Sequence, residues 1–397
     1  MKSEKLKMKN FLWGAATSAH QAEGGNFSND WWQFEQGGFI HDGSSSNPSC
    51  DHYHQFERDL NLLKDLGCNA YRFSVEWSRV QPKEGVFSHR EIDHYHRLLD
   101  SLLERDIIPV VTLHHFTNPL WFIAKGGWEQ PGAIDYFVVY VQKMAEEYSG
   151  KVSCWLTINE PSVYVLLAFL AKYWPPQKRN LLSAAKVLNR LVKAHQAAYQ
   201  LIHNRYSRAQ VSFAHHMTVF DSWRNNFADN TATKIFDWLW NQYFLDRVRD
   251  QLDFIGLNYY TRQRISFPFK IFPTPGKEVG FAQWEFYPQG LLRILRRLKK
   301  YQLPIIITEF GMPHGFNVSP EENLQGGVEG IRRALSEGIG LRGFFYWSLM
   351  DNFEWREGLT PRFGLYEVDY QTQERRLRRV GERYKKLIKE LKAEFGL

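Results

Sequence analysis

The sequence predicts an α/β protein that folds as a single (β/α)8 TIM barrel. Eight apolar runs, rich in β-branched and aromatic residues, have the length and pattern of buried strands. Each is followed by a stretch with apolar residues at helical spacing, and no Pro/Ser-rich linker interrupts the 397 residues. Buried strands that alternate with helices favour a closed parallel sheet covered by helices. We therefore expect one barrel domain over residues 10–397, preceded by a lysine-rich tail over residues 1–9.

The helices and strands are predicted from apolar spacing and from the residues that end each pattern. Phe56, Leu60 and Leu63 recur at helical spacing, for example, and Gly67 follows them as a typical helix-ending residue. The strands are expected at residues 11–18, 69–77, 107–115, 151–159, 209–216, 253–260, 304–309 and 341–348. The helices are expected at residues 51–66, 92–105, 134–148, 181–205, 227–249, 289–301 and 323–337, with a last helix from residue 375 onward.

Composition narrows the classes of partner. The formal net charge is +7, but the basic residues concentrate in helical stretches such as 291–300 and 375–392, where solvated faces explain them, so we expect no nucleic-acid partner. No apolar run is long enough to span a membrane, and no signal peptide precedes the first strand, which predicts a cytoplasmic protein without a membrane partner. The three cysteines have no metal-like spacing and are expected to be packed thiols. A homo-oligomer is neither excluded nor indicated.

Polar side chains follow the predicted strands at their carboxyl ends, where barrel enzymes place their active sites. Glu160 ends the fourth strand and Glu309 ends the seventh, so the two carboxylates are expected to face each other across the barrel mouth. Two such carboxylates can cleave a glycosidic bond, one as proton donor and the other as nucleophile or base. Arg72 could hold one of them ionised. The other candidate site residues are Gln21, His115, Asn159, Asn258, Tyr260 and Trp347 at strand ends, with Glu354 and Trp355 shortly after the last strand.

Several of these strand ends carry motifs of a known family. The segments YRFSVEWSR at 71–79, TLHHF at 112–116, TINEP at 157–161, ITEFG at 307–311 and WSLMDNFEW at 347–355 occur in the family's order, within a match from about residue 10 to residue 390. With them the chain resembles glycoside hydrolase family 1, the β-glucosidase and β-galactosidase family. The resemblance implies hydrolysis of terminal non-reducing β-D-glucosides with retention of configuration. β-Galactosides and β-fucosides are expected as further substrates, and transglycosylation as a side reaction.

The resemblance also implies a role for each matched residue. Glu160 would be the general acid/base, Glu309 the nucleophile that forms a glycosyl-enzyme intermediate, and Asn159 the ligand of the sugar 2-hydroxyl. Arg72 and Tyr260 would orient the nucleophile. Gln21, His115, Glu354 and Trp355 would bind the outer hydroxyls, Trp347 would lie under the sugar ring, and Asn258 is a further candidate substrate contact. No metal or cofactor is implied.

The chain departs from the family pattern at four places. Phe310 follows the nucleophile where the family has asparagine, so a hydrogen bond behind the nucleophile is expected to be missing. The segments 216–253 and 262–303 are shorter than in the family, and residues 163–174 replace the Gly-Tyr-rich loop that the family has after the acid/base motif. These segments follow strand ends and would shape the leaving-group side. We therefore expect that side to be open enough for long or bulky β-glycosides.

Two alternative functions stay open at this point. A phospho-β-glycosidase would share the barrel, but the anionic Glu354 would repel a 6-phosphate. A non-catalytic sugar-binding protein would typically have lost a catalytic glutamate, whereas Glu160 and Glu309 are both present.

The remaining polar and aromatic residues of note have structural interpretations. His215 and His216 end a strand, but no carboxylate lies at metal-ligand spacing, so lining or core roles are favoured. His114 is expected to be packed, and Glu23 and Glu76 to form ion pairs or caps. Trp31, Trp32 and the segment 238–240 are expected to be packing residues, whereas Trp121 and Trp174 could line the acceptor side.

Overall fold

The computed structural model describes residues 11–272, 284–316 and 318–397, so the predicted tail over residues 1–9 lies outside the described residues. Eight parallel strands form a closed barrel: neighbours pair in the order β5-β4-β3-β2-β1-β8-β7-β6, and β5 pairs with β6. The strands are β1 (Leu12–Ala16), β2 (Ala70–Ser74), β3 (Ile108–His114), β4 (Cys154–Asn159), β5 (Gln210–Ser222), β6 (Ile255–Ser266), β7 (Ile305–Phe310) and β8 (Leu341–Trp347). The predicted (β/α)8 barrel is confirmed.

One long helix follows each barrel strand. These helices are α1 (His52–Asp65), α2 (His89–Glu104), α3 (Ala133–Tyr148), α4 (Leu181–Arg205), α5 (Phe227–Asn241), α6 (Gly290–Leu298), α7 (Pro320–Ser336) and α8 (Arg379–Phe395). Polar caps define where several of them begin. Ser319 and Glu322 form a capping box at α7, and Asn180 accepts a hydrogen bond from Ser183 at α4.

Short elements fill the connections. The short helices are Ala19–Ala22, Asp30–Gln36, Trp77–Val80, Leu120–Ala124, Pro161–Val165 and Tyr243–Val248, with a π-helical turn at Leu166–Leu170. The 3-10 turns are Gly127–Glu129, Arg249–Gln251, Lys299–Tyr301 and Trp355–Glu357. Two short strands, Lys270–Phe272 and Glu285–Phe286, pair with β6.

Two predicted helices differ from the structure. The helix expected over residues 227–249 is broken after Asn241, whose side chain bonds both backbone groups of Thr218 instead of facing solvent. The last helix begins at Arg379 and not at Arg375, because Arg375–Leu377 pairs as a strand with Tyr366–Val368. A buried ion pair to Asp59 holds that strand in place.

The strands β5 and β6 extend beyond the predicted ends at residues 216 and 260. They stay paired after a bulge, from Val219 with Arg262 to Ser222 with Ile265. The pair therefore stands above the rim of the barrel and forms a wall beside its mouth. Backbone pairing between the two strands stabilises this extension. The polar residues of each segment, considered alone, did not predict it.

The core has the two layers expected of a barrel. Small and branched side chains such as Ala70, Val110, Leu156 and Ile306 fill the interior, and a larger layer lies between the strands and the helices. The three cysteines are buried and free, as predicted. Within the described ranges, no helix is long and apolar enough to cross a membrane.

Candidate active site

A cavity of about 470 Å³ opens at the carboxyl ends of the barrel strands. Most of the predicted site residues border it. They are Gln21, His115, Asn159, Glu160, Tyr260, Glu309, Trp347, Glu354 and Trp355. Arg72 and Asn258 are fully buried and act on the cavity through the residues they bond. The barrel thus brings together side chains from β2, β4, β6, β7 and β8 and from the segments that follow β1, β3, β4 and β8.

Glu309, near the end of β7, is held by two donors. The Arg72 guanidinium forms an ion pair with Oε1, and the Tyr260 hydroxyl donates to Oε2 at 2.5 Å. Arg72 also donates to the Thr308 carbonyl at 3.1 Å and to Asn159 Oδ1 at 2.6 Å. Because Arg72 is fully buried and has partners on β4 and β7, the position of its charge is well defined.

Glu160 directly follows β4 and has an unusual backbone conformation. Its φ and ψ of 43° and 59° lie in the left-handed region, where a non-glycine residue is uncommon and often functional. Pro161 begins a short helix at the next position. The Glu160 Oε1 atom accepts a hydrogen bond from Asn258 Nδ2 at 2.7 Å, and His216 Nδ1 lies 3.6 Å from the same oxygen.

Asn159 connects the two carboxylates. Its Oδ1 accepts hydrogen bonds from Arg72 and, at 3.2 Å, from Asn258 Nδ2, which also contacts Glu160. Its Nδ2 donates to His115 Nε2 at 3.2 Å. Burial, with the Arg72 charge beside it, holds the pKa of His115 well below the usual value, so this ring is neutral and accepts at Nε2. The neutral tautomer carries its proton on Nδ1, which has no protein partner within the described residues.

The two carboxyl groups titrate as a coupled pair. Burial raises the pKa of Glu309 to about 7; the Arg72 charge opposes this shift, and the neighbouring Glu160 charge adds to it. Burial also raises the pKa of Glu160, but His216 and the Asn258 amide outweigh it and leave that pKa lower than usual. The pair therefore retains one proton until about neutral pH and carries one negative charge.

The outer part of the cavity combines polar and aromatic side chains. Gln21 Nε2 donates to Glu354 Oε2 at 3.2 Å, and burial, with the charges of Glu309 and Glu160 nearby, raises the pKa of Glu354 to about 8. The Trp355 ring packs 4.7 Å from that of Trp31, which confirms a packing role for Trp31.

Close backbone contacts surround Trp347. A Cβ at Gly311 would lie 2.0 Å from the Trp347 carbonyl oxygen, so only glycine fits after Phe310. The Phe310 ring itself is buried in the layer between barrel and helices, 5.6 Å from Phe344. It therefore offers the site no hydrogen bond.

Several cavity residues were not assigned to the site from the sequence. Trp240 was interpreted as packing, but it borders the cavity, because α5 turns this face toward the β5–β6 wall, while Trp238 is 41% exposed. Trp174 borders the cavity and Trp121 does not; the Trp121 indole donates to the Gln81 carbonyl instead. The unassigned apolar lining residues are Val163, Leu166, Leu167, Phe220, Phe236, Ile271 and Trp284.

The paired histidines point in opposite directions because neighbouring residues on a strand alternate in direction. His215 Nε2 lies 2.9 Å from the Asn241 carbonyl in the helix layer, whereas His216 borders the cavity. They therefore do not form a joint metal site. His114 is packed, as predicted, with its Nε2 atom 3.1 Å from Asn118.

Glu23 and Glu76 also have the predicted structural roles. Glu23 forms an ion pair with Arg79 at 3.1 Å, and Glu76 caps the helix Trp77–Val80 by accepting from the Ser78 backbone.

A closed (β/α)8 barrel with two buried glutamates at the ends of β4 and β7 defines a class of protein, the barrel glycosidases. The model of glycosyl hydrolase family 1 matches residues 3–250 and 245–393. The chain belongs to this family and is an O-glycosyl hydrolase of the β-glucosidase type.

Individual relatives agree over nearly the full length. The chain is 30% identical to β-glucosidase A of Acetivibrio thermocellus, covering 96% of this chain and 98% of that protein. Among solved structures, it is similar to the β-glycosidase from Pyrococcus horikoshii, with 37% identity, a TM-score of 0.90 and coverage of 98% and 97% of the two chains. The β-glucosidase from Thermotoga maritima in complex with glucoimidazole is 29% identical, with a TM-score of 0.90 and coverage of 96% and 98%.

Proposed function

We propose that the protein is a retaining β-glucosidase in which Glu309 is the nucleophile and Glu160 the acid/base. The observation that carries the proposal is the pair of buried glutamates, one held by a cation and a phenol and the other by an amide. In the first step Glu160 donates its proton to the glycosidic oxygen, the bond from the anomeric carbon to that oxygen breaks, and Glu309 bonds to the anomeric carbon. In the second step Glu160 takes a proton from water as that water displaces Glu309.

The number of protons on the coupled pair matches what the first step needs. The first step needs one charged carboxylate and one protonated carboxyl, and the pair retains one proton up to about pH 7. In the free site, burial and the Glu160 charge favour this proton on Glu309. The first step uses the other arrangement, with the proton on Glu160 and the charge on Glu309, which Arg72 and Tyr260 stabilise. We therefore expect hydrolysis to be fastest in weakly acidic to neutral solution.

The sugar would lie between Trp347 and the polar residues of the outer cavity. Asn159 would bind the 2-hydroxyl, and the unpartnered Nδ1 of His115 suits a hydroxyl acceptor. Gln21 and Glu354 can bind hydroxyls in more than one orientation, so glucosides, galactosides and fucosides are all proposed substrates. Trp355 would also contact the sugar, and the buried Asn258 would contact Glu160.

The leaving group would contact an apolar wall. Val163, Leu166, Phe220 and Trp240 border the cavity on the side of the segments after β4 and β5, and Ile271, 40% exposed, extends this wall to the surface. Such a wall favours aryl and alkyl leaving groups, because it buries apolar area and offers few hydroxyl partners. Alcohols held there could compete with water, which is the basis of the proposed transglycosylation.

The two alternative functions have less support. A 6-phosphate would enter a cavity in which the Glu160–Glu309 pair already carries one negative charge, which disfavours a phospho-β-glycosidase. Glu354, whose pKa is raised to about 8, adds the repulsion expected from the sequence only in basic solution. A non-catalytic role leaves the well-ordered contacts of both glutamates unexplained. The single domain over residues 10–397, the cytoplasmic location and the lack of a nucleic-acid partner stay predictions from the sequence.

The test is a panel of nitrophenyl β-glycosides, including a 6-phosphoglucoside, with the product anomer followed by NMR. We expect the β-glucoside to be hydrolysed with retention and the phosphorylated sugar to be a poor substrate. Glu309→Gly should abolish hydrolysis, and added azide should restore turnover with an inverted product. Near-native turnover by Glu309→Gly would refute the assignment.

A further inference from the structure

His216 shares the acid/base oxygen with Asn258. In the barrel register His216 of β5 pairs with Asn258 of β6, so both side chains reach the end of β4 from adjacent positions. Asn258 Nδ2 donates to Glu160 Oε1 at 2.7 Å, and His216 Nδ1 lies 3.6 Å from that oxygen. The side chains of His216 and Glu160 are each only 8% exposed, so little water screens the contact.

The imidazole is held on its other sides as well. Its Nε2 lies 3.2 Å from the Thr218 hydroxyl, and its ring centroid lies 5.7 to 6.3 Å from the rings of Tyr260, Trp240 and Trp284. This cage fixes the ring plane and keeps Nδ1 directed toward Glu160. The ring is thus positioned by β5, β6 and α5 together.

Few ionisable groups face this imidazole. Glu160 approaches it from the end of β4, and Tyr260 of β6 contacts it while donating to Glu309. His215 precedes it on its own strand, but that ring faces the helix layer. The uncharged indoles of Trp240, on α5, and of Trp284 approach it on another side. Within the described part of the chain, Glu160 provides the carboxyl oxygen at ion-pair distance from His216.

We propose that His216 is a positioning residue, which holds the Glu160 carboxyl beside Asn258 and whose protonated form favours the Glu160 carboxylate. The inference rests on the proposed role of Glu160 as acid/base. When His216 carries its charge, it makes Glu160 a stronger acid in the first step and stabilises the carboxylate that is needed as base in the second. His216 itself gains and loses no proton in either step. The lowered pKa of Glu160 is consistent with this contact.

Two variants separate the effect of the imidazole charge from that of a polar group that holds the Glu160 carboxyl in place. His216→Phe keeps a ring and removes both nitrogens, whereas His216→Asn keeps a donor near the Nδ1 position and removes the charge. The basic limb of the pH profile of kcat/KM reports loss of the one proton that Glu160 and Glu309 share. The imidazole lowers the pKa of Glu160, so its removal should move this limb to higher pH by about one unit in both variants.

Leaving-group dependence reports how well the Glu160 carboxyl is positioned as a proton donor. In His216→Phe, alkyl β-glucosides should lose about tenfold more activity than a dinitrophenyl glucoside, because only poor leaving groups need a well-placed proton donor. His216→Asn should recover most of that loss. The matched control is His203→Gln, which removes a histidine–carboxylate pair to Asp253 away from the cavity and should change neither the limb nor the leaving-group dependence.

Clear outcomes would overturn the proposal. If His216→Phe folds, keeps the basic limb and loses activity equally for all leaving groups, His216 has only a packing role. A limb that moves in His216→Phe but not in His216→Asn would refute the role of the charge. If His216→Phe does not fold, the limb of His216→Asn decides. Failure of the proposed function is distinguishable, because it would appear in the unmodified enzyme as lack of β-glucoside turnover.

Discussion

Replacing Tyr260 with phenylalanine removes one hydroxyl and retains the ring that packs 4.8 Å from Trp284. That hydroxyl donates to Glu309 Oε2 at 2.5 Å. In the variant, Arg72 remains of the two groups that hold the nucleophile. Hydrogen bonds to charged groups contribute about 1.5 to 3 kcal/mol. At about 1.4 kcal/mol per factor of ten, kcat/KM should fall about ten- to hundredfold.

The sign of the accompanying pH effect follows from the same bond. The phenol stabilises the charged form of Glu309, so its loss raises the pKa of Glu309 above its present value of about 7. Because this pKa marks the pH at which the pair loses its one proton, the basic limb of kcat/KM should move to higher pH. The loss of activity should consequently be larger at pH 5 than at pH 8.

The neighbouring Tyr259→Phe is the matched control. Tyr259 is fully buried and its hydroxyl donates to the Tyr287 carbonyl at 2.6 Å on the helix side of the strand. Its loss should lower the free energy of unfolding by about 1 kcal/mol and leave the pH profile unchanged. The reasoning would be refuted if Tyr260→Phe kept the basic limb of the unmodified enzyme, or if both variants moved it equally.

Three further predictions concern the acid/base, the residue behind the nucleophile and the acceptor side. Glu160→Ala should reduce hydrolysis of alkyl glucosides by about 100- to 10,000-fold and spare dinitrophenyl glucosides, which steady-state kinetics would measure; equal losses would contradict its role as acid. Phe310→Ala should lower the free energy of unfolding by about 3 to 5 kcal/mol without moving either pH limb, as tested by denaturant unfolding and pH profiles. With added hexanol, chromatography should detect hexyl β-glucoside as a second product, and its absence at high acceptor concentration would count against an apolar acceptor side.

The sequence was sufficient for the barrel, and it predicted candidate site residues that the structure brings together at the barrel mouth. Buried parallel strands appear in a sequence as apolar runs. Polar residues occur at the ends of these runs, and the fold places them at the carboxyl edge of the sheet. The pairing of Glu160 with Glu309 therefore follows from strand order alone. The roles of Arg72 and Tyr260 came from the family resemblance, and their contacts with Glu309 agree with it.

Only the tertiary structure determined how the segments beyond the strand ends are arranged. The extension of β5 and β6 depends on hydrogen bonds between two strands separated along the chain, which periodicity in either segment does not reveal. The break after Asn241 likewise depends on a partner, Thr218, on another element.

The electrostatics of the site also depend on how the barrel strands are arranged. In the sequence, His216 is one of two adjacent histidines. Its proximity to Glu160 follows from the register of three strands. The shared proton of the two glutamates depends on their mutual burial and on the charges around them. Sequence alone thus determined which chemical groups this protein brings to the barrel mouth. Tertiary structure decided their contacts and protonation, because distance and burial are set by strand register and packing, not by local sequence.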